Sequence, residues 1–233
     1  MLKKLGLAVC MATTLTLSAH AADKAKLDQR INAASDVLHE LMGTPDKGIP
    51  DTVASKATCV IVVPGFKKAA FVVGAERGHG VAVCRTAHGW SAPAFIQLTG
   101  ASFGAQIGGE STDLVLLAMS HNAAEHLLQD KVKLGGDVGI AAGPVGRQGS
   151  AATTDTANAG FLSYSRSKGI FAGVDLSGDV VNQNKADTDA YYGADTSFES
   201  VLHGSVPPPA AASTFEHTVA QIFGSSHTNT ASR

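Results

Sequence analysis

Residues 51–85 run DTVASKATCVIVVPGFKKAAFVVGAERGHGVAVCR, and the reading of this stretch decides the fold. Asp51 can cap a short helical turn that ends near Lys56. Thr58 to Val63 is then an unbroken apolar run rich in β-branched residues. It is too short for a helix of its own and suits a strand buried on both faces. Pro64-Gly65 marks a turn. Two further strands are expected over 69–74 and 81–85, linked by a turn at Arg77-Gly78-His79-Gly80.

The same rhythm continues downstream. Residues 90–98, 102–107 and 114–119 read as strands, a short helix covers 122–129, and strands follow over 132–142, 160–165 and 170–181. About nine short strands with close turn signals predict an α+β fold whose main element is an antiparallel sheet, as a sandwich or partial barrel. Helices flank it. Leu27, Ile31, Ala34, Leu38 and Leu41 repeat at i, i+4, i+7 through residues 23–42, and Gly43 ends that helix. Residues 183–203 read as helical. Pro207-Pro208-Pro209 is a stiff spacer, and Phe215, Val219 and Ile222 mark a short C-terminal helix that packs on the domain, followed by a frayed tail.

The N-terminus reads as an export signal. Lys3 and Lys4 precede a short apolar region, and Ala19-His20-Ala21 offers small residues for cleavage, so residues 1–21 leave and 22–206 form the domain, with 207–233 as spacer, helix and tail. The product is periplasmic or secreted. A lipid anchor through Cys10 is the alternative. Loss of Lys3 and Lys4 leaves 16 of the 18 cationic residues against 20 acidic ones, a net charge of −4. A globally anionic chain is no generic nucleic-acid binder, and affinity for phosphates must come from a local patch. Cys59 and Cys84 remain in apolar strand-like runs, where a disulfide and a pair of buried thiols are both ordinary.

No catalytic constellation emerges. Gly100-Ala101-Ser102-Phe103-Gly104 matches G-x-S-x-G, but the glycines after it disfavour the helix that a nucleophile elbow needs. His121 and His126 are five apart and do not share a helix face. Glu110, Asp113 and Asp175 are oxygen ligands of the kind calcium takes, without EF-hand spacing. No cofactor and no metal site are therefore expected. Cations stand out at Lys67-Lys68 and Arg77 in expected turns, and at Arg166 and Lys168 around a tight turn. Beside serine hydroxyls and glycine amides they suit a phosphate. Phe66, next to Lys67, either packs inward or inserts into lipid. Lys24, Lys26 and Arg30 flank the apolar arc of the N-terminal helix, where they can reach toward a negative surface.

Five tracts in order carry a resemblance: Trp90-Ser91-Ala92-Pro93, Gly104-Ala105-Gln106-Ile107-Gly108-Gly109-Glu110, Ala141-Ala142-Gly143-Pro144-Val145-Gly146-Arg147, Tyr164-Ser165-Arg166-Ser167-Lys168-Gly169-Ile170-Phe171-Ala172-Gly173-Val174, and Tyr191-Tyr192-Gly193. The chain resembles the SYLF domain family of exported bacterial proteins and eukaryotic trafficking and actin-patch proteins. The resemblance implies a non-enzymatic domain that binds phosphoinositides or other acidic phospholipids, with the N-terminal helix at the membrane. Lys24, Lys26, Arg30, Lys67, Lys68, Arg166 and Lys168 are then the expected lipid-binding residues. The expected partners are acidic phospholipids or a membrane surface, with actin discounted for an exported chain. The alternative is an envelope protein-interaction module without a lipid ligand.

Overall fold

The computed structural model describes residues 23–41, 43, 48–146, 159–167 and 170–224, with only the backbone described for 70–73, 102–109 and 171. The expected export segment with Cys10, the turn expected at Lys168-Gly169 and the expected frayed tail His227–Arg233 lie outside the described residues. The sheet is built on two long strands, β1 (Cys59–Thr86) and β3 (Ala94–Ala118). They pair antiparallel from Cys59↔Ala118 to Ala82↔Ala94, with register shifts between Val63/Phe66 and Ala70/Val72.

This ribbon is bent double. The Arg85 N–H donates to the Thr58 carbonyl at 2.8 Å, and Cys59 is disulfide-bonded to Cys84. The two ends of β1 therefore lie side by side. Glycine makes the pass close: a Cβ on Gly80 would stand 2.2 Å from the Val62 carbonyl oxygen, and one on Gly78 would stand 2.5 Å from Val63 Cγ1.

The outer strands extend the doubled ribbon into a curled, mostly antiparallel sheet. The short β2 (Gly89–Trp90) follows the end of β1. On one side, β6 (Phe161–Ser167) pairs with the end of β3, with β5 (Ile140–Ala142) parallel and β7 (Ile170–Gly173) antiparallel to it. On the other, β8 (Val180–Gln183) lines the start of β3 and pairs with β4 (Lys131–Lys133).

Alternation divides the residues of β1 between two cores. Val60, Val62, Val81 and Val83 face the N-terminal helix (residues 23–41) and the C-terminal helix Ser213–Phe223. Cys59, Ile61, Val63, Ala82 and Cys84 face the opposite core, with Leu127 of the helix His121–Leu127 and Phe198, Val201 and Leu202 of the helix Phe198–Leu202. Burial on both faces is what the Thr58–Val63 run required, at about 1.5–3 kcal/mol for each large apolar side chain.

The α+β class and the flanking helices agree with the sequence. The segmentation differs. Pro64-Gly65 and Arg77–Gly80 are not turns between strands; both lie inside β1. Pro64-Gly65 forms a bulge, with Gly65 at φ +58° and its N–H donated to Asp113 Oδ1 at 2.8 Å. The three strands expected between 90 and 119 are likewise the continuous β3 after the two-residue β2. Residues 132–142 and 170–181 each hold two short strands rather than one. The helical stretch 183–203 is two helices, Lys185–Tyr192 and Phe198–Leu202, capped by Asn184 and Ser197. Phe66 is fully buried and so packs inward.

Candidate functional site

The bulge at Pro64-Gly65 sets the site. Val62 faces the helix-side core and Val63 the opposite one; Phe66 also joins the opposite core, so Lys67 returns to the helix side. Arg77 and His79 lie on the returning arm of β1, in step with Val81 and Val83, and share that side. The N-terminal helix supplies the facing wall through Lys26, Gln29 and Arg30.

Between helix and bent strand lies a cleft of about 460 Å³. Lys26, Arg30, Lys67 and Arg77 line it, His79 joins them, and none of its ten lining residues is acidic. Arg77 and Arg30 are held in place by their neighbours. Arg77 Nη2 donates to Gln97 Oε1 at 3.0 Å. Arg30 Nη1 donates to Asp187 Oδ2 at 2.5 Å, and Asn184 Nδ2 donates to the same oxygen at 2.6 Å. Arg30 also stands 5.6 Å over the Phe95 ring. Burial and the neighbouring Arg30 and Arg77 hold the His79 pKa below its ordinary value, against an opposing pull from Asp187. His79 is therefore mostly neutral at pH 7, and an anion entering the cleft would favour its protonation. Arg30 is paired with Asp187 and Lys26 with Asp23 at 3.4 Å, so Lys67 and Arg77 carry the cationic excess of the cleft, which favours an anion.

Three of the seven expected residues meet here: Lys26, Arg30 and Lys67. Lys24 instead stands over the Tyr191 ring at 5.2 Å. Lys68 points to the other side of β1 and pairs with buried Glu76 at 3.1 Å. Arg166 fastens β6 to β3 and the N-terminal helix: it donates to Asp113 Oδ2 from Nε at 3.0 Å and Nη2 at 2.7 Å, and pairs with Glu40. Lys168 is outside the described residues. The apolar stripe of the N-terminal helix is spent on the protein's own core, with Leu27, Ile31, Ala34, Leu38 and Leu41 all buried.

Arg77 stands out in the sequence as a phosphate-suited cation but is not among the seven expected residues, nor is His79, and an expected turn gives the two no common face. Read as a strand, the i, i+2 spacing puts both on one face. Elsewhere, Gly100–Gly104 lies within β3, paired antiparallel with β1, so Ser102 has no strand–turn–helix context. Asp113 is engaged by Arg166 and the Gly65 N–H, and Asp175 by Ser177. The Asp175 carboxyl is held below its usual range by those Ser177 hydrogen bonds.

The family described as "Ysc84: Las17-binding protein actin regulator" matches residues 99–222. The cleft residues of the helix and β1 precede that segment. "LAS seventeen-binding protein 3" of Saccharomyces cerevisiae is 34% identical over 170 residues, 71% of this chain and 37% of the relative. "SH3 domain-containing YSC84-like protein 1" of Homo sapiens is 35% identical over 170 residues, 72% of this chain and 49% of the relative. "Protein YSC84" of Saccharomyces cerevisiae is 34% identical over 171 residues, 72% of this chain and 36% of the relative. The chain thus spans between about a third and a half of the relatives it matches. These names describe binding and SH3-containing proteins, and the printed link to an actin regulator weighs against discounting actin. The bent β1–β3 ribbon, the flanking helices and these matches together make the chain a member of the Ysc84 family, the family of SYLF domains.

Proposed function

We propose that the chain is a non-enzymatic, exported protein that binds acidic phospholipid headgroups in the cleft between the N-terminal helix and β1. One observation carries this reading: Lys26, Arg30, Lys67 and Arg77 converge on one cleft whose lining holds no acidic residue, with carboxylate partners outside that lining for Lys26 and Arg30 only, on a chain whose overall charge is negative. A phosphate there gains several charge-assisted hydrogen bonds. The Cys59–Cys84 disulfide supports the export reading, since such bonds persist in oxidising compartments.

The test is flotation of residues 22–233 with vesicles of rising anionic lipid content, at low and high salt. Binding should rise with anionic lipid and fall with salt, because exposed charge contacts are screened. Lys67→Glu/Arg77→Glu should lower it at least tenfold with the thermal melt unchanged. Undiminished flotation of that variant would refute the placement. A protein partner is the second reading, supported by relatives named for Las17 binding. It gains weight if no vesicle composition binds the chain.

A further inference from the structure

A second cleft, of about 660 Å³, lies where β1 ends and β2 begins. Its walls are the turn after β1, the segment that follows the helix Phe198–Leu202, and one face of the C-terminal helix. That face carries Ser213, Glu216, His217 and Ala220, at i, i+3, i+4 and i+7. The other face of the same helix is buried through Phe215, Val219 and Phe223.

The cleft is preformed. The His88 N–H donates to Thr86 Oγ1 at 3.2 Å, and Thr86 Oγ1 donates to the Gly89 carbonyl at 3.3 Å. Gly204, at φ +77°, lies so close to Thr86 that a Cβ would stand 2.8 Å from Cγ2. Trp90 is fixed by Arg85, 4.7 Å from the ring centre, and by the edge of Phe223 at 6.2 Å.

Glu216 is the unexplained group. Its Oε1 is buried and has no hydrogen-bond partner among the described residues. Tyr192, the nearby phenol, already donates to the Pro93 carbonyl at 2.8 Å. A buried carboxylate oxygen without a donor costs stability that an incoming donor recovers. His88, His203 and His217 also line the cleft. Among the described residues, no three His, Cys, Asp or Glu groups are placed to share a metal ion. A cationic donor would satisfy that oxygen most strongly, through a charge-assisted hydrogen bond. The volume falls within the ~300–1,000 Å³ of clefts that enclose drug-sized ligands, and it exceeds what an isolated ammonium fills.

We propose that this cleft docks a polypeptide segment through one lysine or arginine side chain, whose cationic end bonds Glu216 while the segment lies along Trp90 and Pro207. The inference is independent of the lipid reading, since the two clefts share no residue. Burial pushes the Glu216 carboxyl up to about 7. Its charged form, which a cation needs, is present above that pH. Acidification protonates Glu216 and so weakens binding as pH falls, while the nearby Arg85 stays cationic throughout.

Trp90 is the only tryptophan of the chain and reports on the cleft directly. The full mature chain is titrated at pH 8 and low salt with a capped alanine pentapeptide carrying a central lysine. A saturable change in Trp90 fluorescence is expected. It should weaken at least tenfold at pH 5.5, with glutamine in place of the peptide's lysine, with n-butylamine as the probe, and in Glu216→Gln. That variant keeps the shape and removes a buried charge, so its thermal melt should not fall. Should it fail to fold, the lysine and glutamine peptides on the unaltered chain still decide the matter. No saturable change, equal binding of the two peptides, equal binding to Glu216→Gln, or n-butylamine binding as tightly as the peptide would overturn the proposal.

Discussion

Reduction of the Cys59–Cys84 disulfide should cost the fold about 3.5 kcal/mol. The bond joins residues 25 apart. Closing a loop of that length removes roughly 12 cal/mol/K of entropy from the unfolded chain, or about 3.5 kcal/mol at 25 °C. The native side changes little on reduction. The strand ends remain joined by the Arg85 N–H to Thr58 carbonyl bond. Arg85 also donates from Nε to the Ala57 carbonyl at 2.7 Å and caps the Phe223 carbonyl at the end of the C-terminal helix. The effect therefore falls on the unfolded ensemble. At a urea m-value of ~2.5 kcal/mol/M, the unfolding midpoint drops by roughly 1.4 M. The melting temperature drops by roughly 7–14 °C for a domain of this size. Far-UV circular dichroism of oxidised and phosphine-reduced protein measures both, with alkylation and mass spectrometry counting thiols. The m-value should rise on reduction, because the freed loop exposes more surface when unfolded. Two free thiols in the oxidised native protein, or a midpoint shift below about 0.4 M, would refute the meeting of the two ends of β1.

Other substitutions test other parts of the structure. Gly80→Ala should cost at least ~2 kcal/mol, because its Cβ meets backbone on the neighbouring arm, whereas Gly139→Ala, whose nearest neighbour is 3.8 Å away, should cost much less; equal losses in urea titrations would count against the close pass. Arg166→Ala should destabilise by ~1–3 kcal/mol through its lost carboxylate bonds yet leave vesicle flotation unchanged, which separates a fastening role from headgroup binding. Burial and the neighbouring Glu76 push the Asp179 carboxyl up to about 6, against the pull of Lys68. The folded state then holds that proton more tightly than the unfolded state, so stability falls as pH rises from about 4 through 6, by roughly 2–3 kcal/mol. Asp179→Asn should therefore gain on the unaltered chain at pH 8 but not at pH 4, and a pH-independent difference between the two would refute the assignment.

The Thr58–Val63 run was legible as a strand because β-branched residues on both faces leave no polar side to place in water. The stripe from Leu27 to Leu41 was legible for the matching reason, a single apolar arc. The continuity of β1 was not legible. Pro64-Gly65 and the Arg77–Gly80 stretch carry turn residues, yet these serve a bulge and a close backbone pass, and composition does not separate those uses. That misreading displaced the site, since Arg77 and His79 face the helix only if the strand runs through them. Lys68 and Arg166 show the complementary limit. Their charges are visible in sequence, but Glu76, Asp113 and Glu40 reach them only through tertiary pairing. The second cleft left almost no trace, because Trp90, His203 and Glu216 come from three distant segments.

The bent ribbon also dictates an order of assembly. Pairing can begin locally, where Arg85 faces Trp90 and Ala82 faces Ala94 across the short connection. It must then zip outward until Thr58 Oγ1 reaches the Ala118 carbonyl, a separation of 60 residues. Topologies dominated by such distant contacts fold in milliseconds to seconds rather than microseconds. A slip of one residue anywhere along the zipper would exchange the two cores wholesale. The bulges at Val63/Phe66 and Ala70/Val72 break the uniformity of the register and penalise such slips. Cys59 and Cys84 lie at the start and near the end of β1, and they meet only when the doubling is complete. In an oxidising compartment the disulfide is thus a covalent timestamp on the last step of folding.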